Sequence, residues 1–320
     1  MPRSGVLAAL ALVLASCSHG PRTPAPTDRP YVLVLGTAQD AGFPQIGANH
    51  ARARAARADP TQIRRVASLL VVDPRTHRRW LIDATPDLPL QVEAARGHPA
   101  GRAPGPGRPP LFEGIFLTHA HMGHYAGLLH LGREAYAARG QPVHGSARMT
   151  AFLETQAPWE LLVRLGHITL HTLEPDRDVE LASQLTITPI LVPHRAEYTD
   201  TLGFIVRGPS QSLLYIPDID KWHQWERRLE DVLATVDHAL IDGTFYADGE
   251  IPGRSMKDIP HPFIAETMAR LASASADLRA KVRFTHLNHT NPAADPGGSA
   301  QKAIEAAGFS VARDGDVFGL

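Results

Sequence analysis

Residues 114–124 read Gly-Ile-Phe-Leu-Thr-His-Ala-His-Met-Gly-His. The apolar run predicts a buried strand, and two histidines separated by one residue follow it directly. A third histidine lies where a helix is predicted to begin. This arrangement directs His119, His121 and His124 towards one point, and imidazole is a common ligand of zinc and iron. The stretch therefore predicts a metal centre at the end of a strand.

The composition is typical of a globular protein with a large core. The chain has 320 residues, of which 43% are hydrophobic and 20% are charged, and its formal net charge is −1. This length suits one large domain or two. The near-neutral charge argues against a generally basic nucleic-acid-binding protein, so we expect no nucleic-acid partner. The sequence leaves the oligomeric state open.

The first residues indicate export. Arg3 precedes a run of Val, Leu and Ala from Val6 to Leu14, which is too short to span a bilayer and is typical of a secretory signal. The following Ala-Ser-Cys completes a resemblance to the lipobox of bacterial lipoproteins. That resemblance implies a signal peptide over residues 1–16 and a lipidated Cys17. The alternative is a plain signal peptide with a chance cysteine.

The lipobox resemblance also implies a location. Residues 17–30 would comprise the lipidated cysteine and a proline-rich, semi-rigid tether, and residues 31–320 would form the folded domain. We therefore expect an exported lipoprotein of the periplasm or cell envelope, with the membrane as partner through its lipid. In a Gram-negative host, Ser18 after the cysteine favours the outer membrane. Because Cys17 is the single cysteine, an internal disulfide and a Cys-ligated structural zinc site are excluded.

Short apolar runs alternate with helical stretches over residues 31–320, and they predict an α/β fold. Two mixed β-sheets packed together, with helices outside, would bury such a pattern. Asp-Gly between Val311 and Val317 predicts a hairpin. The first half is predicted to contain strands at Tyr31–Gly36, Ala67–Asp73, Arg79–Asp83 and Gly114–Thr118, and a helix at Gly123–Ala138.

Polar residues recur directly after the predicted strands. A lone His or Asp in such a position is more often a turn-former than a ligand, but several of them at one sheet edge can hold a metal ion with the needed precision. The series continues the histidines of residues 119–124 and consists of Asp83, His194, Asp218, Asp242 and His286.

This series resembles the metallo-β-lactamase fold superfamily, whose hallmark is His-x-His-x-Asp-His. Residues 119–124 here read His-Ala-His-Met-Gly-His. The segments at residues 36–45, 194–198 and 285–292 are similar to the branch that holds RNase Z, the phosphonate-pathway cyclic phosphodiesterases and coenzyme PQQ synthesis protein B. The resemblance covers residues 31–320 and implies an αββα four-layer sandwich.

The resemblance also implies a ligand set. The first metal site would use His119, His121 and His194, and Asp218 would bridge to a second site that contains His124 and His286. Gly123 stands where the superfamily motif has a metal-binding Asp, so the second site is expected to keep three protein ligands, and one ion per chain is an alternative to two. Zinc is the expected cofactor, with iron and manganese as alternatives.

The positions of four further residues, together with the resemblance, predict supporting roles for them at the metal centre. Asp83 is expected to hold the histidine loop by hydrogen bonds rather than to serve as a simple turn residue. His289 is either an auxiliary group at the second site or a hydrogen-bonding loop histidine. His261, which precedes a predicted helix, is either a proton donor to developing negative charge or a surface histidine at the helix start. Asp242 is a candidate supporting acid.

Three functions follow as hypotheses. The first is a hydrolase that uses metal-activated water on an ester, a phosphodiester or a related bond of a small molecule, with Asp218 bridging the metals or accepting the proton of the water. The second, implied by the resemblance, is an iron-dependent oxidoreductase that hydroxylates a tyrosine-derived precursor, as in coenzyme PQQ synthesis; the export signal counts against it. The third is a non-catalytic metal-binding lipoprotein. The substrate is not readable from the sequence.

Overall fold

The computed structural model describes residues 24–98, 108–251, 253 and 255–320. The predicted signal peptide and Cys17 lie outside these residues. No helix in the described ranges is long and apolar enough to cross a membrane. The α-helices of these ranges are α1 (Ala51–Ala58), α2 (Leu88–Ala94), α3 (Met122–Tyr125), α4 (Ala147–Thr155), α5 (Trp159–Arg164), α6 (Leu229–Ala234), α7 (Ile264–Arg270), α8 (Ala276–Ala280) and α9 (Ser299–Ala306).

The strands form two seven-stranded sheets in the described residues, in the orders β14-β1-β2-β3-β4-β5-β6 and β13-β12-β11-β10-β9-β8-β7. Each sheet is mixed, because β3 to β6 and β10 to β13 are parallel and the other neighbouring strands pair antiparallel. The strands are β1 (Tyr31–Gly36), β2 (Ser68–Asp73), β3 (Arg78–Ile82), β4 (Gly114–Phe116), β5 (Gln141–Gly145), β6 (Ile168–Thr172), β7 (Val179–Ala182), β8 (Leu185–Val192), β9 (Thr201–Arg207), β10 (Ser212–Ile216), β11 (His238–Asp242), β12 (Val282–Thr285), β13 (Ser310–Val311) and β14 (Val317–Gly319).

Alternate residues of the central strands face two different hydrophobic layers, because successive side chains of a strand point to opposite faces. Val32 and Val34 of β1 pack in the layer between the sheets, together with Phe204 of β9. Leu33 and Leu35 of the same strand pack on the other face, in the layer with the helices. Both faces are therefore apolar, which explains why the strand reads as a continuous hydrophobic run.

Helices cover the outer face of each sheet. Leu153 of α4 and Trp159 of α5 pack against the first sheet. Leu233 of α6 and Ile304 of α9 pack against the second. The order of layers is helix, sheet, sheet, helix, so the predicted αββα sandwich is confirmed.

The parallel strands bring their carboxyl ends to one edge of each sheet. Ile82 at the end of β3 pairs with Phe116 at the end of β4. In the second sheet Asp242, at the end of β11, pairs with Thr285 at the end of β12. In open α/β sheets the residues that follow the carboxyl ends of strands commonly form the binding crevice. The fold therefore collects the predicted strand-end residues at sheet edges.

The helix predicted after the histidine stretch is only partly correct. The α-helix ends at Tyr125, and a 3-10 helix follows over Ala126–Leu131. The Gly127 amide donates to the Ala84 carbonyl at 2.8 Å. A Cβ atom on Gly127 would lie 2.1 Å from the Thr85 carbonyl oxygen. This close approach to the loop after β3 accounts for the change of helix type.

The predicted hairpin near the end of the chain is wrong. Val311 belongs to β13 in the second sheet, whereas Val317 belongs to β14 in the first. The segment between them crosses from one sheet to the other. Asp314 in this segment accepts hydrogen bonds from Thr37 Oγ1 at 2.8 Å and from the Arg65 amide at 3.0 Å. These long-range bonds override the local Asp-Gly turn signal.

We predict that Leu81→Ala lowers the free energy of unfolding by about 2–5 kcal/mol, because Leu81 is fully buried in the layer between the first sheet and its helices. Urea denaturation followed by circular dichroism measures the change. Leu90→Ala is the matched control, since Leu90 is 54% exposed on α2, and its effect should stay within about 0.5 kcal/mol. Equal losses for both variants would contradict the assigned core.

Candidate metal centre

A buried carboxylate holds the histidine stretch between β4 and α3. Asp83, directly after β3, accepts hydrogen bonds from the Thr118 amide at 2.8 Å and from Thr118 Oγ1 at 3.0 Å. It also bonds to His124 Nδ1 at 2.8 Å. Asp83 has a left-handed backbone (φ 66°), which Asp tolerates better than most residues. The structure thus places Asp83 where it fixes both ends of the stretch.

A first group of possible ligands consists of His119, His121, His194 and Asp218, whose ligand atoms all lie within 4.8 Å of one another. His119 Nε2 lies 2.8 Å from His121 Nδ1 and 3.4 Å from Asp218 Oδ2. His121 is the least buried member. These are the residues predicted from the sequence for the first metal site.

A second group shares Asp218 with the first and contains His124 and His286. His124 Nε2 lies 2.9 Å from Asp218 Oδ2. Asp40, which was not predicted from the sequence, is the fourth member. Asp40 Oδ1 lies 3.5 Å from His124 Nε2 and 3.8 Å from His286 Nε2. The shared position of Asp218 suits a bridging carboxylate, and Asp40 adds a second carboxylate oxygen to the group.

The donor atoms of both groups fit a divalent metal ion. Buried polar atoms without hydrogen bonds are destabilising and are rare in folded proteins. Nitrogen and carboxylate oxygen donors suit zinc, iron and manganese. The buried atoms that make no hydrogen bond include Nε2 of His124, His194 and His286 and Oδ1 of Asp218 and Asp40. Metal binding would give each of these atoms a partner.

Every candidate ligand histidine is oriented through its other ring nitrogen. Such partners fix the ring and its tautomer in metal sites. Asp83 is the one partner predicted from the sequence. Each of the other partners lies within three residues of a predicted ligand or of Asp242 along the chain. This closeness in sequence is the signal from which they could have been predicted. The partners are Thr118 for His119 (3.0 Å), Glu197 for His121 (2.9 Å), Asp83 for His124 (2.8 Å), Asp220 for His194 (3.0 Å) and Thr244 for His286 (3.0 Å).

Burial and neighbouring charges shift the pKa values of the residues in the centre in opposite directions. Burial and the neighbouring His124 lower the pKa of His119 well below its usual value. Burial alone would lower the pKa of His124 too, but the charge of Asp83 and the closeness of Asp218 and Asp40 raise it. Burial would raise the pKa of Asp218, yet the charges of His286 and His194 lower it well below the ordinary value. Asp218 is therefore ionised, as a metal ligand must be.

His261 and Asp242 form a hydrogen-bonded pair beside these groups. His261 Nδ1 lies 2.8 Å from Asp242 Oδ2 and 3.4 Å from Asp218 Oδ1. Burial alone would lower the pKa of His261, but the charge and hydrogen bond of Asp242 raise it to about 9. Asp242 also accepts from the Thr244 amide at 2.9 Å and is fully buried. Asp242 therefore positions His261 and the Thr244 loop.

His289 lies beside another histidine rather than in these groups. Its Nδ1 atom is 3.2 Å from Nε2 of His50, and the two rings are stacked with centroids 5.5 Å apart. Burial lowers the pKa of both residues, and each is further lowered by nearby positive charge. The contact matches the alternative in which His289 is a hydrogen-bonding loop histidine.

Fold and site together define an αββα protein with a strand-end centre for divalent metal ions. A family model described as "Beta-lactamase superfamily domain" matches residues 78–287. The chain belongs to this superfamily. The matched range contains every histidine of the two ligand groups.

Curated relatives extend the similarity along nearly the whole chain. The chain is 28% identical over 309 residues to "Coenzyme PQQ synthesis protein B" of Methylobacterium nodulans, a match that covers 88% of this chain and 97% of the relative. It is 28% identical over 312 residues to the protein of the same name from Klebsiella pneumoniae, with 89% and 96% covered.

Solved structures share the fold. Zn²⁺-bound PqqB from Methylobacterium extorquens superimposes with a TM-score of 0.73 at 22% identity, over 91% of this chain and all of that one. A diphosphatase of the PhnP family gives a TM-score of 0.60 at 21% identity, over 91% and 97%. At 22% and 21% sequence identity, these similarities show a shared fold only.

We predict that Asp83→Asn weakens metal binding by about 10- to 100-fold, because the amide no longer presents an anionic acceptor to His124 Nδ1. Titration with zinc in the presence of a competing chelator measures the affinity. Asp73→Asn is the control: Asp73 is also fully buried, but its carboxylate pairs with Arg75 at 2.8 Å. Similar weakening in both variants would indicate general destabilisation instead of lost ligand orientation.

Proposed function

We propose that the protein is a metal-dependent hydrolase that acts on an ester, a phosphodiester or a related bond of a small-molecule substrate. The observation that carries the proposal is the convergence of five histidines and two carboxylates, with unpartnered donor atoms, at the carboxyl ends of the strands. Membership of the β-lactamase superfamily supports it, since members of that superfamily are mostly hydrolases. Zinc is the proposed ion, with iron and manganese as alternatives.

A bound divalent ion lowers the pKa of its water towards about 7 and stabilises negative charge on the scissile oxygen. The chain supplies the remaining parts. His119, His121 and His194 would hold the first ion. Asp218, which lies in both groups, would bridge two ions and orient the water; with a single ion bound, it would instead accept the proton of the water. His261, held by Asp242 at 2.8 Å, donates a proton to the leaving oxygen.

A second candidate is an oxidative reaction at iron. The similarity to relatives named "Coenzyme PQQ synthesis protein B", over 97% of the length of one of them, favours it. The same histidine and carboxylate donors suit iron. The predicted export counts against a role in cytoplasmic cofactor synthesis. Iron content and substrate-dependent oxygen consumption would favour this reaction over hydrolysis.

We further propose that the chain is an exported lipoprotein anchored through Cys17, because Leu14-Ala15-Ser16-Cys17 follows a basic and then an apolar segment. A Cys17→Ala variant should move from the membrane fraction to the soluble fraction of a bacterial host and lose incorporation of labelled palmitate. Ser18→Ala is the matched control and should stay in the membrane fraction. Membrane retention of Cys17→Ala would contradict the anchor.

Purified protein loaded with zinc is expected to hydrolyse at least one of a panel of phosphodiester, carboxyl ester, lactone and β-lactam substrates, and a chelator should abolish the activity. His261→Gln should lower kcat by about 10²- to 10⁴-fold with unchanged metal content, because it removes the proton donor.

His130→Gln, which alters an exposed histidine, serves as the control for that variant and should keep full activity. Metal-free protein after supplementation would contradict both enzyme proposals. A His261→Gln variant with the kcat of the unmodified protein would contradict the assigned role of His261.

A further inference from the structure

The second metal group contains a carboxylate from an unexpected part of the chain. We infer that Asp40, in the loop after β1, is a ligand of the second metal ion and supplies the carboxylate that Gly123 cannot. The inference rests on the metal centre of the proposed function. It makes the second site a four-ligand site of His124, His286, Asp218 and Asp40.

The position of Asp40 supports ligation. Its Oδ1 atom is buried, makes no hydrogen bond and faces Nε2 of both His124 (3.5 Å) and His286 (3.8 Å). Those two nitrogens are themselves buried and make no hydrogen bond of normal geometry. A carboxylate oxygen and two imidazole nitrogens thus converge on one point.

Gly123 is required for this arrangement. A Cβ atom built on residue 123 would lie 2.1 Å from Asp40 Oδ1 and 2.5 Å from Asp40 Cα. Both distances are far shorter than van der Waals contact, and the second involves backbone, which cannot rotate away. Any side chain at residue 123 therefore displaces Asp40. The two positions exclude each other as sources of a carboxylate.

The loop that carries Asp40 is fixed to the loop that carries His286. The Gln39 amide donates to the Leu287 carbonyl at 3.0 Å, and the Leu287 amide donates to the Thr37 carbonyl at 2.8 Å. The Gly42 amide closes a turn on the Gln39 carbonyl at 2.8 Å, and Gly42 has φ +69°. Backbone bonds on both sides therefore hold Asp40 against its partner ligand.

The test measures metal content by elemental analysis after saturation with zinc and removal of free ions. We expect about two ions per chain in the unmodified protein and about one in Asp40→Asn. Gly123→Asp should also bind about one, because the new side chain collides with Asp40. Asp295→Asn is the matched control: Asp295 is 51% exposed, pairs with Arg52, and should leave about two ions.

The measured metal contents distinguish failure of this inference from failure of the proposed function. Two ions in Asp40→Asn, or one ion in the unmodified protein, would overturn the inference while leaving a metal-dependent hydrolase intact. No metal in the unmodified protein would overturn the proposed function as well. Two ions in Gly123→Asp would contradict the mutual exclusion of the two positions, and more metal in Gly123→Asp than in the unmodified protein would show that Asp40 does not complete the second site.

A spectroscopic measurement reports ligation directly and does not depend on stoichiometry. Asp40→Cys loaded with cobalt(II) should show a thiolate-to-cobalt charge-transfer band that the unmodified protein lacks, since a ligating thiolate is deprotonated. Cys17 is present in both proteins and cancels in the difference spectrum. Asp295→Cys, a thiol outside the ligand groups, should give no band. A folded Asp40→Cys protein without the band would overturn the inference.

Discussion

The carboxylate of Asp83 is the interaction on which the geometry of the metal centre depends. It joins three elements, because it follows β3, accepts from the Thr118 amide after β4 and bonds to His124 in α3. A fully buried carboxylate is tolerated only with such partners. The arrangement of His119, His121 and His124 is therefore a property of three neighbouring segments and not of the histidine motif alone. Each of the other ligand rings is held in the same way by a single polar partner.

Most of the fold could be predicted because burial on both faces leaves a strong local pattern. Runs such as Tyr31–Gly36 are apolar throughout, and the residues that follow the strands are polar. The helix after the histidine stretch and the hairpin near residue 314 were mispredicted for one reason. The structure of each segment depends on contacts with residues distant in the sequence. The first segment contacts Ala84 and the second contacts Thr37. Local propensity carries no information about such contacts.

The residues of the candidate metal centre could also be predicted only in part from the sequence. The histidines and Asp218 could be selected because each directly follows a strand or lies in the motif. Asp40 could not, since it lies in a turn after β1 where an Asp is ordinary. Its importance comes from the docking of that turn on Leu287 and from the space left by Gly123. From the sequence alone, Gly123 in the motif predicts a missing ligand. In the structure, the space beside Gly123 is occupied by the carboxylate of Asp40.

The docking of the first loop on the last ligand loop has a consequence for folding kinetics. Gln39 and Asn288, which bond to each other across this junction, are separated by 249 residues. Contacts of such separation carry a large loop-closure entropy, which slows folding. The centre is then complete only when the opening and closing segments of the domain have met. A metal ion bound at this junction would stabilise these contacts, so metal supply and resistance to unfolding would be coupled through one loop.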